Sequence, residues 1–436
     1  MATADRVRAD ALHALIDARG AGAGGALEAI VERARQAAQA LELPSTRDEE
    51  WRYTDVSVLA RQSFAPPPAD PVPVAAGEIA GLLVDEARGA RLVFVNGAWS
   101  AALSDTGAVP GGVLVANLGT ALVARPAEID AHLARHAAFG ADLFSAVNTT
   151  LLRDAAVVVV PPGVSVAPPI HLLFLTTRQP APIATQPRVL LVAGAGSECT
   201  LIEDYASLGD PVQFTNSVVE MSVGAGAGVR HVRVQRESAH GYHVGNCAVT
   251  QARASRYRSV SLAFGARLSR LGLGVVQSEP DSHSELAGLA LIAGRQHADT
   301  HSTLDHAAAH GTSRQLHKCI VDGGAHAVFN GRIVIRAGAQ RIDSAQHSRS
   351  LLLSPKALVN VKPQLEIHAD DVKAAHGATV GQLDAEELFY LRSRGLPEAL
   401  ARSLLSHAFA AEVLERIPVP SLVARYEREL LARAGL

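Results

Sequence analysis

The stretch NSVVEMSVGAGAGVRHVRVQ, residues 216–235, reads as strand, glycine turn, strand. GAGAGVR (224–230) has the glycine texture of a phosphate-binding loop, but it leads into VRHVRVQ, a second strand and not a helix. Without a helix N-terminus the phosphate cradle is missing, so these glycines are expected to turn one coil into the next. No Gly-Lys-Ser/Thr occurs anywhere in the chain, which removes a P-loop lysine.

The same texture extends to both sides. Upstream lie AAVVVVPP (155–162), IHLLFLTT (170–177), RVLLVAG (188–194) and CTLIEDY (199–205). Downstream lie YRSVSLAFG (257–265), LGLGVV (271–276), ELAGLALIAG (285–294), KCIVDGG (318–324), GRIVIRAG (331–338), SLLLS (350–354) and QLEIHADDV (364–372). Gly265, Gly294 and Gly323 each follow a strand at intervals of 29 residues, and Gly194 and Gly224 lie 30 apart in the same role. Short strands with regular turn glycines mean a repetitive sheet. Their apolar β-branched faces and the scarcity of two-residue hairpin turns favour a parallel β-helix over 151–375, since a solenoid stacks coils without hairpins. Exposed terminal coils invite aggregation, so flanking parts are expected to cap them.

Both flanks read as helical. Residues 1–150 form a helical and mixed region. Helical spacing covers 5–18 and 26–42, with the cluster AGAGG between them and Pro44 after the second. APPPADPVPV (65–74) reads as an extended connector. LVFVNGAWSAAL (92–103) reads as a hairpin turning at Asn96-Gly97, and 126–139 as a helix with Pro126 in its first turn. Residues 376–436 read as a C-terminal helical domain. Asp384 with Glu387 starts one helix, Gly395 ends it, and Pro397 opens a second with Leu400, Leu404, Ala408 and Ala411 on one face. Val423, Tyr426 and Leu430 mark a last amphipathic helix. This unit is too small for a large core of its own and is expected to dock on the sheet or a partner.

Composition bounds the function. The 436 residues are 48% hydrophobic and only 4% aromatic, so the core must be Val, Leu, Ile and Ala. Lys and Arg number 40 against 43 Asp and Glu, a balance that excludes a globally basic nucleic-acid binder. Three cysteines exclude a disulfide framework and suggest a reducing compartment. The most apolar stretch, Ala155 to Leu175, is broken by four prolines and carries His171, so no membrane span is expected. The opening residues lack a signal-peptide core, and the chain reads as cytoplasmic.

Seven of the 18 histidines lie between 283 and 326. His297 and His301, or His306 and His310, would suit zinc on a helix. On a strand, positions i and i+4 stand about 13 Å apart, too far for one metal. These side chains are therefore expected on a solvated or subunit-facing sheet surface. Cys199, Cys247 and Cys319 form no CxxC pair and are expected to be buried and inert, Cys319 least so, because His317 and Lys318 adjoin it. Asp370 and Asp371, read as neighbours on a strand, point to opposite faces and so cannot share one glycosidic bond. That weakens a polysaccharide-active β-helix enzyme as a rival reading. A metal-storing or metal-sensing protein using the histidine-rich segment is a second rival. His376, in DDVKAAHGATVGQLD, is placed between the last strand and the first C-terminal helix, where a turn histidine bonding the backbone is the plain reading.

Residues 328–395 carry FNGRI, LLLS, KPQLEI, DDVK, HGATVG and FYLRSRG in that order. This run closely resembles the SufB/SufD family of iron–sulfur cluster assembly proteins. LPSTRDEEWRYTDV (43–56) and LVFVNG (92–97) resemble its SufD branch. The resemblance implies a right-handed parallel β-helix between helical ends, and a non-enzymatic scaffold. It implies two partners, SufB through the β-helix and the ATPase SufC through the C-terminal helices, with a homodimer also possible. It implies a nascent cluster held transiently at the subunit interface, a reduced flavin associated with the complex, and no cofactor on the isolated chain. The histidine of the family's His-Gly-x-Thr segment, implicated in assembly at the SufB interface, maps to His376. Many relatives carry Cys two residues before it, where this chain has Ala374.

Overall fold

The computed structural model describes residues 10–18, 27–68 and 72–433. Residues 5–9 and 26 of the expected first helices, the glycine cluster 21–25 and residues 69–71 of the connector lie outside the described residues. The N-terminal part holds α1 (Asp10–Ala18), α2 (Glu28–Ala40), a short turn at Glu49–Trp51, α3 (Val58–Arg61) and α4 (Ala76–Ile79). Next come β1 (Arg91–Val95) and β2 (Ala98–Trp99), the expected hairpin, with Asn96 and Gly97 both at positive φ. Then follow β3 (Leu114–Asn117), α5 (Leu118–Ala124), α6 (Pro126–His132) and α7 (Leu143–Thr150). Helix α6 is shorter than the 126–139 expected. Ala134 leaves the helical region at φ 58, and the amides of Ala134, His136 and Ala137 donate instead to the buried Glu220 carboxylate at 2.8–2.9 Å. Buried Arg188 pairs with the same carboxylate at 2.6 Å.

The solenoid strands are β4 (Ala156–Val160), β5 (Ile170–Thr177), β6 (Ile183–Thr185), β7 (Arg188–Ala193), β8 (Glu198–Leu208), β9 (Gln213–Val223) and β10 (Gly228–Arg236). They continue as β11 (Tyr242–Gln251), β12 (Arg256–Ala263), β13 (Leu268–Gln277), β14 (His283–Ile292), β15 (His297–His306) and β16 (Thr312–Val321). The last are β17 (His326–Ile335), β18 (Ile342–Leu352), β19 (Leu358–Ile367) and β20 (Val372–Gly381). From β7 onward successive strands alternate between two sheets, and each pairs in parallel with the strand one coil away. One sheet runs β2-β1-β5-β8-β10-β12-β14-β16-β18-β20, the other β19-β17-β15-β13-β11-β9-β7-β4-β3 with β6 beside β9. The chain is mainly β, a parallel β-solenoid of about eight turns with helices at both ends. Gly294 and Gly323 stack at one corner, both at positive φ, and an added Cβ on Gly323 would press on the Gly294 backbone.

Side chains alternate between the lumen and the two outer faces. One lumen column of the second sheet stays apolar throughout, as Leu191, Met221, Val249, Val275, Leu304, Ile333 and Leu365. Its neighbour runs Val189, Val219, Cys247, Leu273 and then changes to Ser302, Gly331 and Pro363. The outer face of the second sheet buries Phe214, Val244 and Leu268 under α1, α3 and α7.

Strand β20 is followed by α8 (Ala385–Ser393), α9 (Glu398–Leu414) and α10 (Pro420–Arg433). Asp384 caps α8 by accepting from the amides of Glu386 and Glu387, and Gly395 follows it at φ 90. The helices pack on the outer face of the first sheet. Val413, Leu414, Leu422 and Tyr426 share one core with Ile202, Val232, Val260, Leu289 and Ile320. The expected α9 face of Leu400, Leu404, Ala408 and Ala411 is not the buried one: Ala401, Ser403, Ala410, Val413 and Leu414 are buried, the last three in the core shared with the sheet, while Leu404 and Ala408 are exposed. The helices also do not cap the last coil. They fold back over β14 and β16. At the first coil, by contrast, β2 and β3 close the sheets with antiparallel pairings.

Candidate functional site

His376 does not sit in a turn. Strand β20 runs on to Gly381, and His376 lies in its middle, in register with Gln346 of β18. Its parity is that of the lumen: the column behind it is Gln346, Gln315, Leu286 and Ser259. It is exposed because no coil follows. Among the described residues β19 and β20 pair on one side only, so the solenoid ends in an open edge. Leu358, Ile367 and Val380 of that edge are 51%, 42% and 50% exposed. Pro363, which has no N–H to donate, sits on the edge strand where a ladder tolerates it.

Just inside His376 the lumen turns polar. Ser302 Oγ donates to Gln315 Oε1 at 2.9 Å, and Gln346 Nε2 donates to the same oxygen at 3.3 Å. Among the described residues Gln346 Oε1, Gln315 Nε2, Ser348 Oγ and His317 Nε2 are buried without a hydrogen-bond partner. Gly331 makes room here: a Cβ at that position would run into the Gln346 amide. The sequence reading missed this region, because IDSAQHSRS (342–350) has only Ile342 and Ala345 as apolar residues and no apolar period-two face. Its signal was the period-two series Ser344, Gln346, Ser348 and Ser350, all buried.

The three cysteines are buried. Cys319 is no exception, contrary to the expectation. Burial pushes its thiol up to about 12. Lys318 projects to the other side, where it donates to the Phe409 carbonyl at 2.7 Å and pairs with Glu412 at 2.6 Å. Strand alternation thus separates two sequence neighbours. Burial likewise pushes the Cys199 thiol up to about 12.

The histidine-rich segment is not one surface. His306 and His317 are buried at the lumen, where burial lowers them to about 4 and about 3. His306 bonds Gln277 at 2.7 Å and Ser313 at 3.1 Å, and His317 stacks on Phe329 with centroids 4.2 Å apart. His297 and His301 lie on an outer face that the N-terminal EEWRYT stretch covers. His297 meets Thr54 at 2.9 Å, and His301 bridges Glu50 at 3.1 Å and Asp299 at 3.0 Å. Arg270 pairs with Asp299 and lies 3.8 Å over the Trp51 ring. Among the described residues no three His, Cys, Asp or Glu side chains are grouped to hold a metal. Asp370 and Asp371 are not on a strand but in the bend between β19 and β20.

Two further features are exposed or open. Phe389 and Tyr390 on α8 are 73% and 56% exposed, with Leu404 of α9 also exposed. A cavity of about 310 Å³ lies near the first coils, lined by Pro66, Pro67, Pro68, Trp99, Arg153 and Gln186 among others. No helix among the described residues is long and apolar enough to cross a membrane.

Residues 174–409 match the family described as SUF system FeS cluster assembly, SufBD core domain, and residues 17–172 match the SufBD protein N-terminal region. An iron–sulfur cluster assembly SufBD family protein of Synechocystis is 41% identical over 92% of this chain and 90% of its own length. The iron–sulfur cluster assembly protein SufD of Escherichia coli is 31% identical over 90% and 89%. A chloroplastic protein of Arabidopsis thaliana is 32% identical over 86% and 79%. The chain is a SufD homologue and belongs to the SufBD family of iron–sulfur cluster assembly proteins.

Proposed function

We propose that this chain is the non-catalytic scaffold subunit of a Suf assembly complex, pairing with SufB through the open coil and docking the SufC ATPase on the C-terminal helices. The observation that carries this reading is the asymmetry of the solenoid. Among the described residues one end is covered by the short antiparallel strands β2 and β3 with Trp99, Val109 and Val113 packed on the lumen core, while the other ends in an unpaired edge with exposed apolar side chains and a lumen-facing histidine. Such an edge is a template for another chain. The exposed Phe389, Tyr390 and Leu404 supply an apolar patch for the ATPase.

In this reading the cluster is cargo, held transiently between subunits. A neutral imidazole can bind iron or pass a proton near neutral pH, and Ala374 and Ala375 beside it can do neither. Cys199, Cys247 and Cys319 are all buried, and burial raises each thiol, so in this reading the cluster ligands come from the partner. ATP hydrolysis belongs to SufC, any reduced flavin to the assembled complex, and the site of action is the cytoplasm. Three parts divide the work: the described N-terminal residues up to 150 clamp the solenoid, the β-helix presents the open edge, and the C-terminal helices receive the ATPase.

The test is reconstitution of the three-subunit complex with His376→Ala. Exposed His376 supports no core, so folding and complex formation are expected to persist. Cluster yield, read by visible absorbance, and complementation of a strain lacking this subunit are expected to fall about ten-fold or more, the scale of one lost iron or proton contact. Wild-type yield would assign His376 a structural role only.

A further inference from the structure

We infer that Gln346 is a positioning residue for His376, its side-chain oxygen accepting the imidazole N–H once a partner covers the open end. The inference rests on the assignment of His376 above and adds a second residue to that site. Gln346 and His376 are register partners on adjacent strands, both with lumen parity. In the isolated chain Gln346 is 1% exposed, and its Oε1 has no partner among the described residues. A buried amide oxygen left unsatisfied costs about 1–3 kcal/mol, so a donor that reaches it is favoured.

The amide is held for this contact from behind. Its Nε2 donates to Gln315 Oε1 at 3.3 Å, and Ser302 Oγ fixes that oxygen at 2.9 Å. Gly331 across the lumen leaves the slot the amide occupies. The polar ladder then stops, because the next residue inward is Leu286. The unpartnered donors beside it, Gln315 Nε2 and Ser348 Oγ, make no hydrogen bond to the amide oxygen in this arrangement, so the donor to be added comes from the open end. No charged side chain competes there. The lumen-parity residues of β19 are Val361, Pro363 and Leu365, and those flanking Gln346 on β18 are Ser344 and Ser348.

The free imidazole makes no hydrogen bond among the described residues, so an exposed ring samples both tautomers. Coverage by a partner removes water and makes the Gln346 oxygen its acceptor. The proton then stays on the nitrogen facing Gln346, and the other nitrogen presents its lone pair to the partner. An acceptor behind a ligating imidazole sets ring orientation and tautomer in this way.

Two variants, one apolar and one isosteric, separate positioning from packing. Gln346→Leu removes the acceptor and the buried orphan together, so the isolated chain should be as stable as wild type or more so. Gln346→Glu keeps an acceptor but buries a carboxylate, so its thermal midpoint should fall. Cluster yield in the reconstituted complex should follow the opposite order: Glu close to wild type, Leu reduced about five-fold or more, the scale of one lost hydrogen bond. Complex formation, read by size-exclusion chromatography, should be unchanged in both. Gln346→Met serves as a second apolar variant if Leu does not fold. Wild-type yield from the apolar variants, or a Glu variant as impaired as Leu, overturns the inference. His376→Ala run in parallel tells the two failures apart: if it is impaired while Gln346→Leu is not, only Gln346 is wrongly assigned. If it is not impaired, the assignment of His376 falls and this one with it.

Discussion

His297 and His301 share one strand and one cover, yet burial and charge push them in opposite directions. Burial lowers His297 to about 4. Burial also opposes charge on His301, but Asp299 and Glu50 outweigh it and raise the ring above its ordinary value. With an unfolded imidazole near 6.5, the His297 contribution to docking of the N-terminal stretch is complete above about 6.5 and lost as pH falls toward 4. The His301 contribution has the other sign: it is complete below about 6.5 and lost as pH rises through the raised value. The stretch 49–54 should therefore be held most tightly near neutral pH. Trp51 fluorescence in a Trp99→Phe background reads this, since Trp51 lies under Arg270. His301→Gln should flatten the alkaline limb and His297→Gln the acid limb. An unchanged alkaline limb in His301→Gln would remove the ion pair from the account.

At the scale of elements, the C-terminal helices are part of the solenoid's core and not a separable unit. Deleting everything from Asp384 onward would bare Ile202, Val232, Val260, Leu289 and Ile320 of the first sheet. Such a truncation is expected to aggregate, and Leu422→Ala, which opens a cavity in the same layer, to cost about 2–5 kcal/mol by chemical denaturation. ATPase docking is better probed by Phe389→Glu with Tyr390→Glu. Both are exposed, so the fold should hold while ATPase capture drops. Much of this was legible in sequence. Glycine spacing gave the coil, Asp384 and Gly395 gave the ends of α8, and Asn96-Gly97 gave the hairpin. What escaped were strands β11, β15 and β20, rich in His, Thr, Ser, Asn or Ala, whose lumen or outer faces are not aliphatic. A period-two reading keyed to apolar residues cannot see a strand whose buried side chains are serine, glutamine and histidine. That is why His376 reads as a turn residue and Gln346 is invisible. The buried face of α9 was misjudged for a related reason: Ala and Leu occupy most of its surface, so spacing alone does not choose a side.

For the whole molecule the decisive property is that its two ends are built differently. The first coil is closed by β2 and β3, and α5 and α6 pack beside them on Val157, Val159 and Leu190. Among the described residues the last coil has no such cover, although three helices follow it in sequence. A solenoid that leaves one end bare while helices lie within reach keeps that end for another chain. Burying Leu358 and Val380, half exposed now, should each contribute about 1–2 kcal/mol to pairing at the usual area coefficient. Leu358→Lys with Val380→Glu removes that gain and desolvates two charges, so affinity for the solenoid partner should fall about 100-fold or more. In the isolated chain both side chains already face water, so its thermal midpoint should move little. Titration calorimetry of the doubly substituted chain against the purified partner, alongside its melting curve, decides the matter. Unaltered affinity with unaltered stability would mean that the partner binds elsewhere and that the bare end has another use.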